Sequence, residues 1–172
     1  MFMTFKKVNV EDINENFIKS IGKEWMLVTA GNKEKINTMT ASWGFTGVMW
    51  GKPTAIAAVR PQRYTMEFIE RENYLTLSFL GDNKAAHSIC GKKSGRDTDK
   101  INEAGLTPVF DSETNAPYFN EARLVLILKK KYVQPLTKSG FSDETIPNEM
   151  YASNDYHNMI YGEIVSAYVK AD

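Results

Sequence analysis

The sequence predicts a mainly β protein, an antiparallel barrel with helices at its periphery. Short segments rich in β-branched or aromatic residues recur along the chain, as is typical of strands. Helical patterns are fewer, and they do not alternate regularly with the strands, as a doubly wound parallel fold requires. The predicted strands are Trp25–Ala30, an irregular pair or one broken strand over Thr38–Trp50, Ala55–Val59, Tyr74–Leu80, Arg123–Tyr132 and Met159–Val169.

Four helical segments are predicted between these strands. They are Asn14–Ile21, Met66–Arg71, Lys84–Cys90 and Asp97–Ala104. Thr65 is placed to cap the second of them, and Gly105 is typical of the end of the last. The segment Pro135–Pro147 is predicted to be a break without regular structure. Because no break resembles a linker between domains, residues 1–172 are expected to form a single domain.

Composition and charge exclude several classes of protein. The chain has 172 residues, of which 21 are basic and 21 acidic, so its formal net charge is zero. General polyanion binders are basic, so nucleic acid is not an expected partner. Residues 1–10 lack the apolar core of a signal peptide, and the longest aliphatic run, Leu124–Leu128, is too short to span a bilayer. A cytoplasmic protein without membrane contact is therefore expected.

A basic junction between a strand and a helix is one candidate binding feature. Its sequence is Arg60-Pro61-Gln62-Arg63-Tyr64-Thr65. Free N–H groups at a helix start favour an anion, and two arginines add forked donors that suit phosphate oxygens. The alternative is a solvated loop whose arginines pair with Glu67 or Glu70. The spacing alone leaves both interpretations open.

The segment Asn37–Gly44 is unusually polar for a strand of a protein core. Its hydroxyl side chains share one face, while Met39, Ala41 and Trp43 share the other. A flat heteroaromatic ring needs small side chains around it, because backbone donors must approach its carbonyls and ring nitrogens. The alternative is an edge strand with a solvated hydroxyl face.

The remaining reactive side chains indicate no metal or nucleophilic site. The loop Cys90–Asp97 combines three positive charges with two glycines, so it is either a phosphate loop or an exposed charged turn. It does not match the Walker pattern, and no dinucleotide fingerprint is present. His87 and Cys90 provide at most two metal ligands. Cys90 is interpreted as a buried, unreactive thiol, and as the single cysteine it forms no internal disulfide.

Taken in order, these segments resemble the flavin reductase-like family of FMN-binding split-barrel proteins, especially its flavoredoxin-like branch. The resemblance is carried by Asn37–Gly44, Arg60–Thr65, Ser78–Leu80, Cys90-Gly91, Ser94–Asp97 with Asp99-Lys100, and His157 with Tyr161–Ile164. It implies a six-stranded antiparallel split barrel, a homodimer, and one FMN per protomer near the subunit interface.

The resemblance also implies roles for individual residues. The isoalloxazine ring is expected to lie against Met39, Thr40, Ala41, Ser42 and Trp43. The phosphate and ribityl chain are expected to be held by Arg60, Arg63, Tyr64 and Thr65. Ser78, Phe79 and Leu80 match a strand that contacts the ring, and Ser94, Gly95, Arg96 and Asp97 match a loop near the phosphate. His157 matches a histidine close to the ring or the nicotinamide and is the one catalytic candidate.

Three functions are compatible with this resemblance. The first is a flavin oxidoreductase with NADH or NADPH as electron donor. The second is a flavoredoxin-type carrier that passes electrons between redox proteins through bound FMN. The third is a flavin-binding storage or sensing protein without turnover. Since hydride chemistry belongs to the flavin, none of them requires a catalytic acid or base from the protein.

Overall fold

The computed structural model describes residues 4–171, whose strands form one rolled antiparallel sheet and a separate hairpin. The strands are β1 Phe5–Val8, β2 Met26–Gly31, β3 Ile36–Ala41, β4 Gly44–Met49, β5 Lys52–Val59, β6 Tyr74–Phe79, β7 Pro108–Phe110, β8 Pro117–Phe119, β9 Leu124–Pro135 and β10 Asn158–Lys170. The sheet has the order β3-β2-β6-β9-β10-β5-β4, with β1 added on β10, while β7 and β8 pair separately. The mainly β antiparallel class is confirmed, but the expected count of six strands is wrong because this sheet has eight.

The helices are short and lie against the sheet. They are α1 Phe17–Lys19, which continues as a π-helical turn over Ser20–Glu24, α2 Tyr64–Arg71, α3 Lys84–Lys92, α4 Lys100–Glu103 and α5 Thr145–Met150, with 3₁₀ turns at Val10–Asp12 and Lys138–Gly140. Both α2 and α3 pack against β2 and β3. Within residues 4–171, no helix is long and apolar enough to cross a membrane.

The two ends of the sheet are consecutive in the chain, which gives the barrel its split. Only Ser42 and Trp43 join β3 to β4, so the sheet curls until its ends approach each other. The N–H of Ala58 on β5 donates to the carbonyl of Trp43 at 3.3 Å. A Cβ at Gly44 would lie 2.5 Å from the carbonyl oxygen of Ile56, so this corner requires glycine. Beyond the corner, β3 has an unpaired edge that faces β5.

Strand β2 separates two hydrophobic cores. Val28 pairs with Met39, and both face the barrel interior together with Phe68 of α2. Leu27 pairs with Thr40 on the opposite face, where Leu27 packs in the core under α3. Because successive residues point to opposite faces, β2 is buried on both sides and holds β3 in a defined register.

Several sequence expectations require correction. Thr65 is not the cap of α2, because that helix begins one residue earlier and Arg63 occupies the cap position. The Thr65 hydroxyl instead accepts a hydrogen bond from the side-chain amide of Asn37 at 2.8 Å. Helix α5 begins within the segment predicted as a break and extends past its end, and strands β1, β7 and β8 were not predicted.

Candidate functional site

A cavity of about 260 Å³ lies at the split between β3 and β5. We call it the ring pocket. Its lining residues are Met39, Thr40, Ala41, Ser42, Trp43, Ala58, Arg60, Arg63 and His157. The structure therefore brings together Met39–Trp43, which were predicted to lie against a ring, the two arginines of the basic junction and the candidate histidine. Ala58 was not predicted, because its place depends on how β5 crosses the split.

The unpaired edge of β3 forms one wall of the ring pocket. Among the described residues β2 is the one strand that pairs with β3, so alternate backbone N–H and C=O groups of β3 point away from the sheet. Its hydroxyls are not solvated: Thr38 is fully buried and donates to the Val28 carbonyl at 3.2 Å. Thr40 donates to the His87 carbonyl of α3 at 2.6 Å. These side chains hold β3 to its neighbours, which leaves its backbone available to a ligand.

His157 and Trp43 form a second, aromatic wall. Their ring centroids are 4.9 Å apart, and Trp43 is 42% exposed while His157 is 8% exposed. Burial and the nearby Arg60 lower the pKa of His157 to about 4, so the imidazole is neutral at neutral pH. Its Nδ1 lies 2.8 Å from the hydroxyl of Tyr151. Tyr151 was not predicted, because its pairing with His157 belongs to no sequence motif.

Arg60 is committed to protein partners. Its guanidinium forms an ion pair with Asp155 at 2.5 Å and donates to the Met150 carbonyl at 2.9 Å. It also lies 5.0 Å from the ring centroid of Tyr151. Arg60 therefore fastens the segment after α5 to the ring pocket, and its charge is compensated there.

Arg63 differs from Arg60 in having no carboxylate partner. It donates to the Gly91 carbonyl at 3.0 Å and to the Cys90 carbonyl at 3.5 Å, and burial lowers its pKa. Lys100, only 3% exposed, donates to the same Cys90 carbonyl and to that of Lys93, both at 3.1 Å. Burial and Arg63 lower the pKa of Lys100 to about 8. Neither Arg63 nor Lys100 forms an ion pair with a carboxylate among residues 4–171, so an uncompensated positive charge lies at the end of α3.

The predicted loop Ser94–Asp97 lines a neighbouring cavity rather than the ring pocket. That cavity has a volume of about 350 Å³, and Gly95, Arg96 and Asp97 are part of its wall. A Cβ at Gly95 would lie 2.0 Å from Asn37 Oδ1, so glycine is required for the loop to pack against β3. Arg96 pairs with Glu67, and its guanidinium lies 4.5 Å from the ring centroid of Tyr64. Ser94 accepts a hydrogen bond from the Arg96 N–H at 3.2 Å, which shapes the turn.

The tripeptide Ser78–Leu80, predicted to contact the ring, lies elsewhere. Ser78 and Phe79 are fully buried in β6, which β2 separates from β3, and Leu80 follows them in the core under α3. None of the three lines the ring pocket. The structure therefore does not bring this tripeptide to the site.

A further cavity of about 510 Å³ lies on the other face of β3. Trp25, Lys84 and His87 contribute to its wall, with the Lys84 ammonium 3.5 Å from the ring centroid of Trp25. His87 is 1% exposed, and desolvation together with Lys84 lowers its pKa to about 4. Its Nε2 is buried without a hydrogen-bond partner among the described residues. Cys90 is also buried, as expected, and burial raises its pKa to about 11, which disfavours the reactive thiolate.

Comparison with known proteins decides the family. The model of the flavin reductase-like domain matches residues 18–172. The chain belongs to this family. A search of curated proteins found no match.

Solved structures of the same fold include flavin reductase-like proteins and flavoredoxins. An FMN-binding domain of a flavin reductase-like enzyme from Shewanella baltica is 14% identical, covers 99% of this chain and 79% of its own, and has a TM-score of 0.69. The flavoredoxin of Methanosarcina acetivorans is 21% identical with a TM-score of 0.68, covering 96% and 76% of the two chains. An NADH:FAD oxidoreductase of Streptomyces globisporus is 16% identical with a TM-score of 0.63, covering 84% and 74%. At these identities the likeness establishes the split-barrel fold.

Proposed function

We propose that the chain binds FMN in the ring pocket and acts as an NAD(P)H-dependent flavin oxidoreductase. One observation supports this most directly: in one cavity, a free backbone edge meets a half-buried Arg63 that pairs with no carboxylate among residues 4–171. The edge suits a flat ring with carbonyl and nitrogen acceptors, and the cation suits a phosphate. The residues present therefore fit FMN.

Each part of the ring pocket has a distinct task in this proposal. Backbone N–H groups over Ala41–Trp43 donate to the carbonyl edge of the ring and stabilise the negative charge that reduction places there. Arg63, with Lys100 behind it, holds the phosphate. Trp43 and His157 flank the ring and restrict the access of water. Bound FMN supplies the hydride chemistry, so the protein contributes binding, orientation and electrostatics.

The visible spectrum of the purified protein tests this proposal. We expect a yellow protein, or a colourless one that binds added FMN with quenching of flavin fluorescence. NADH or NADPH added under argon should then bleach the flavin absorbance. A protein that neither retains nor binds FMN would contradict the proposal.

A flavoredoxin-type electron carrier is the second candidate. It is supported by the fold shared with the Methanosarcina flavoredoxin and by the exposed Trp43, which leaves a path for electrons at the mouth of the pocket. Adding NADH or NADPH under argon to the flavin-loaded protein distinguishes the two functions. A carrier retains FMN and is reduced by dithionite, but it is not bleached by either nicotinamide.

A second copy of the chain is the proposed partner. The hairpin of β4 and β5 exposes Phe45, Val48 and Trp50, which are 61%, 76% and 58% accessible. Tyr132 and Tyr161 lie beside Trp50 and extend this apolar surface. The zero net charge does little to oppose self-association. Sedimentation velocity should show a dimer that Val48→Glu converts to a monomer, and a monomeric native protein would refute the dimer alone.

A further inference from the structure

The segment between α5 and β10 forms the back of the aromatic wall. Tyr151 is 4% exposed and packs between Phe141 and Tyr156, with ring centroids 6.0 and 4.8 Å away. The pair of Arg60 and Asp155 fastens the segment to the start of α2. Tyr151 is therefore held in place from several sides, and its hydroxyl has a defined direction.

Among residues 4–171, that hydroxyl forms one hydrogen bond, to Nδ1 of His157 at 2.8 Å. Tyr151 is buried, so its hydroxyl proton needs an acceptor within the protein. Because Nδ1 is the one acceptor in reach, the hydroxyl directs its proton to it. A neutral imidazole that accepts at Nδ1 carries its proton on Nε2.

The second nitrogen of His157 is free to serve a ligand. Among residues 4–171, Nε2 has no hydrogen-bond partner, and it is not one of the buried unpartnered atoms. His157 is part of the wall of the ring pocket. An N–H donor next to the free edge of β3 is thus available to an acceptor atom in the pocket.

We propose that Tyr151 is a positioning residue that holds His157 as the Nε2–H tautomer, so that the ring pocket offers an N–H donor to a carbonyl oxygen. The tautomer is set by residues of the protein and does not depend on the proposed function. The identity of the carbonyl that accepts the hydrogen bond rests on the proposed function. Two sources share this chemistry, namely the flavin ring and the carboxamide of a nicotinamide.

Nitrogen-15 NMR of the flavin-free protein tests the tautomer directly. The chain has only two histidines, so His157→Asn assigns the imidazole signals. At neutral pH we expect His157 to show one protonated nitrogen, Nε2, and one nitrogen with the shift of a hydrogen-bonded acceptor, Nδ1. A proton on Nδ1 would overturn the proposal, and this measurement needs neither a variant of Tyr151 nor bound FMN.

A pair of tyrosine variants tests whether Tyr151 causes this state. Tyr151→Phe should move the His157 nitrogen shifts towards those of a free imidazole that exchanges between tautomers. Tyr156→Phe is the matched control, because Tyr156 packs in the same cluster but has no hydrogen bond to His157. Unchanged His157 shifts in a folded Tyr151→Phe protein would refute the role of Tyr151.

The FMN-loaded protein identifies the ligand that receives the hydrogen bond. If the nicotinamide carbonyl accepts it, His157→Phe, which removes the donor but keeps an aromatic ring in the wall, should raise the KM for NADH about tenfold, the effect of one hydrogen bond, with the FMN affinity unchanged. If the flavin carbonyl accepts it, the FMN affinity should fall by that factor instead. If the variant changed neither the KM for NADH nor the affinity for FMN, His157 would donate to no ligand carbonyl. A protein that binds no FMN leaves the NMR result standing and refutes only the proposed function.

Discussion

The two ends of the candidate site present different chemical groups to a ligand. The ring end is made of backbone: the free edge of β3, whose hydroxyl side chains are turned to β2 and α3. The anion end is made of charge: the half-buried Arg63 and the buried Lys100 both donate to the Cys90 carbonyl, and neither pairs with a carboxylate among residues 4–171. Access to backbone groups requires small residues that are neighbours in sequence. Whether a charged side chain stays uncompensated depends instead on which distant residues the fold brings beside it.

The basic junction illustrates the second dependence. Arg60 and Arg63 are three residues apart, and their sequence context is the same. Asp155, almost a hundred positions later, compensates Arg60, while Arg63 meets only carbonyl oxygens. We therefore assign the phosphate to Arg63 and a structural role to Arg60, although the sequence treats the two alike.

The largest expected effect separates these two arginines. Arg63→Gln should weaken FMN binding by roughly 10- to 100-fold, because a charge-assisted bond to phosphate contributes about 1.5–3 kcal/mol. Arg60→Gln should change FMN affinity by less than about threefold but lower the free energy of unfolding, because it leaves Asp155 without its partner. Titration of apoprotein with FMN, followed by flavin fluorescence, measures the first effect, and urea unfolding measures the second. Equal losses of FMN affinity in the two variants would contradict the assignment of the phosphate to Arg63 and of a structural role to Arg60.

The same contrast explains how far the sequence predicts the site. Small residues and alternation left both a ring site and a solvated edge strand open for Met39–Trp43; the family resemblance placed them at a ring, and all five line the pocket. The contacts of Tyr151 and Asp155 could not be predicted, because they arise between residues distant in sequence. Ser78–Leu80 is the opposite case, since a motif matched but the tripeptide lies in the core.

The secondary structure also was predictable only where the signal is local in sequence. Long apolar strands such as β9 were recognised from composition. Strand β1 was missed because it is four residues long with two lysines, and it forms only by pairing with β10, as at Phe5 and Lys170. Helix α5 was missed because Pro147 and the surrounding polar residues indicate a loop.

Gly95→Ala tests whether the loop at the anion end is held by close packing against the ring end. The new Cβ would meet Asn37 Oδ1 at 2.0 Å, so the loop or the Asn37 amide must move. Overpacking of this kind typically costs about 1–3 kcal/mol of unfolding free energy, and the displaced amide would lose its bond to Thr65. Gly47→Ala is the control, because a Cβ there meets nothing within 4 Å. Equal urea midpoints for both variants would show that this contact carries no stability.

Acid should weaken the folded state through the histidines on the two faces of β3. The pKa of His87 and of His157 is about 4 in the fold, below the ordinary value of 6.5, so folding favours the neutral form. Their contribution is therefore complete above pH 6.5 and is lost as the pH falls from 6.5 to about 4. Between pH 7.5 and pH 5.5 we expect a loss of about 1 kcal/mol per histidine, measured by urea unfolding. His87→Gln and His157→Gln should each remove about half of this pH dependence, and a flat profile in the native protein would contradict it.

The smallest expected effect concerns Lys100, which supports Arg63 from the neighbouring cavity. Because its pKa is about 8, the ammonium is present at pH 7 and is largely lost by pH 9, so anion affinity should fall over this range. We expect FMN binding to weaken about threefold, less than in Arg63→Gln, since the ammonium is already shared between two backbone carbonyls. Lys100→Met should bind FMN more weakly at pH 7 and show no further loss at pH 9. The exposed Lys92→Met is the control and should keep the native profile. If Lys100→Met retained the native pH dependence, the charge at the anion end would reside in Arg63 alone, and the contrast with the backbone-built ring end would depend on a single side chain.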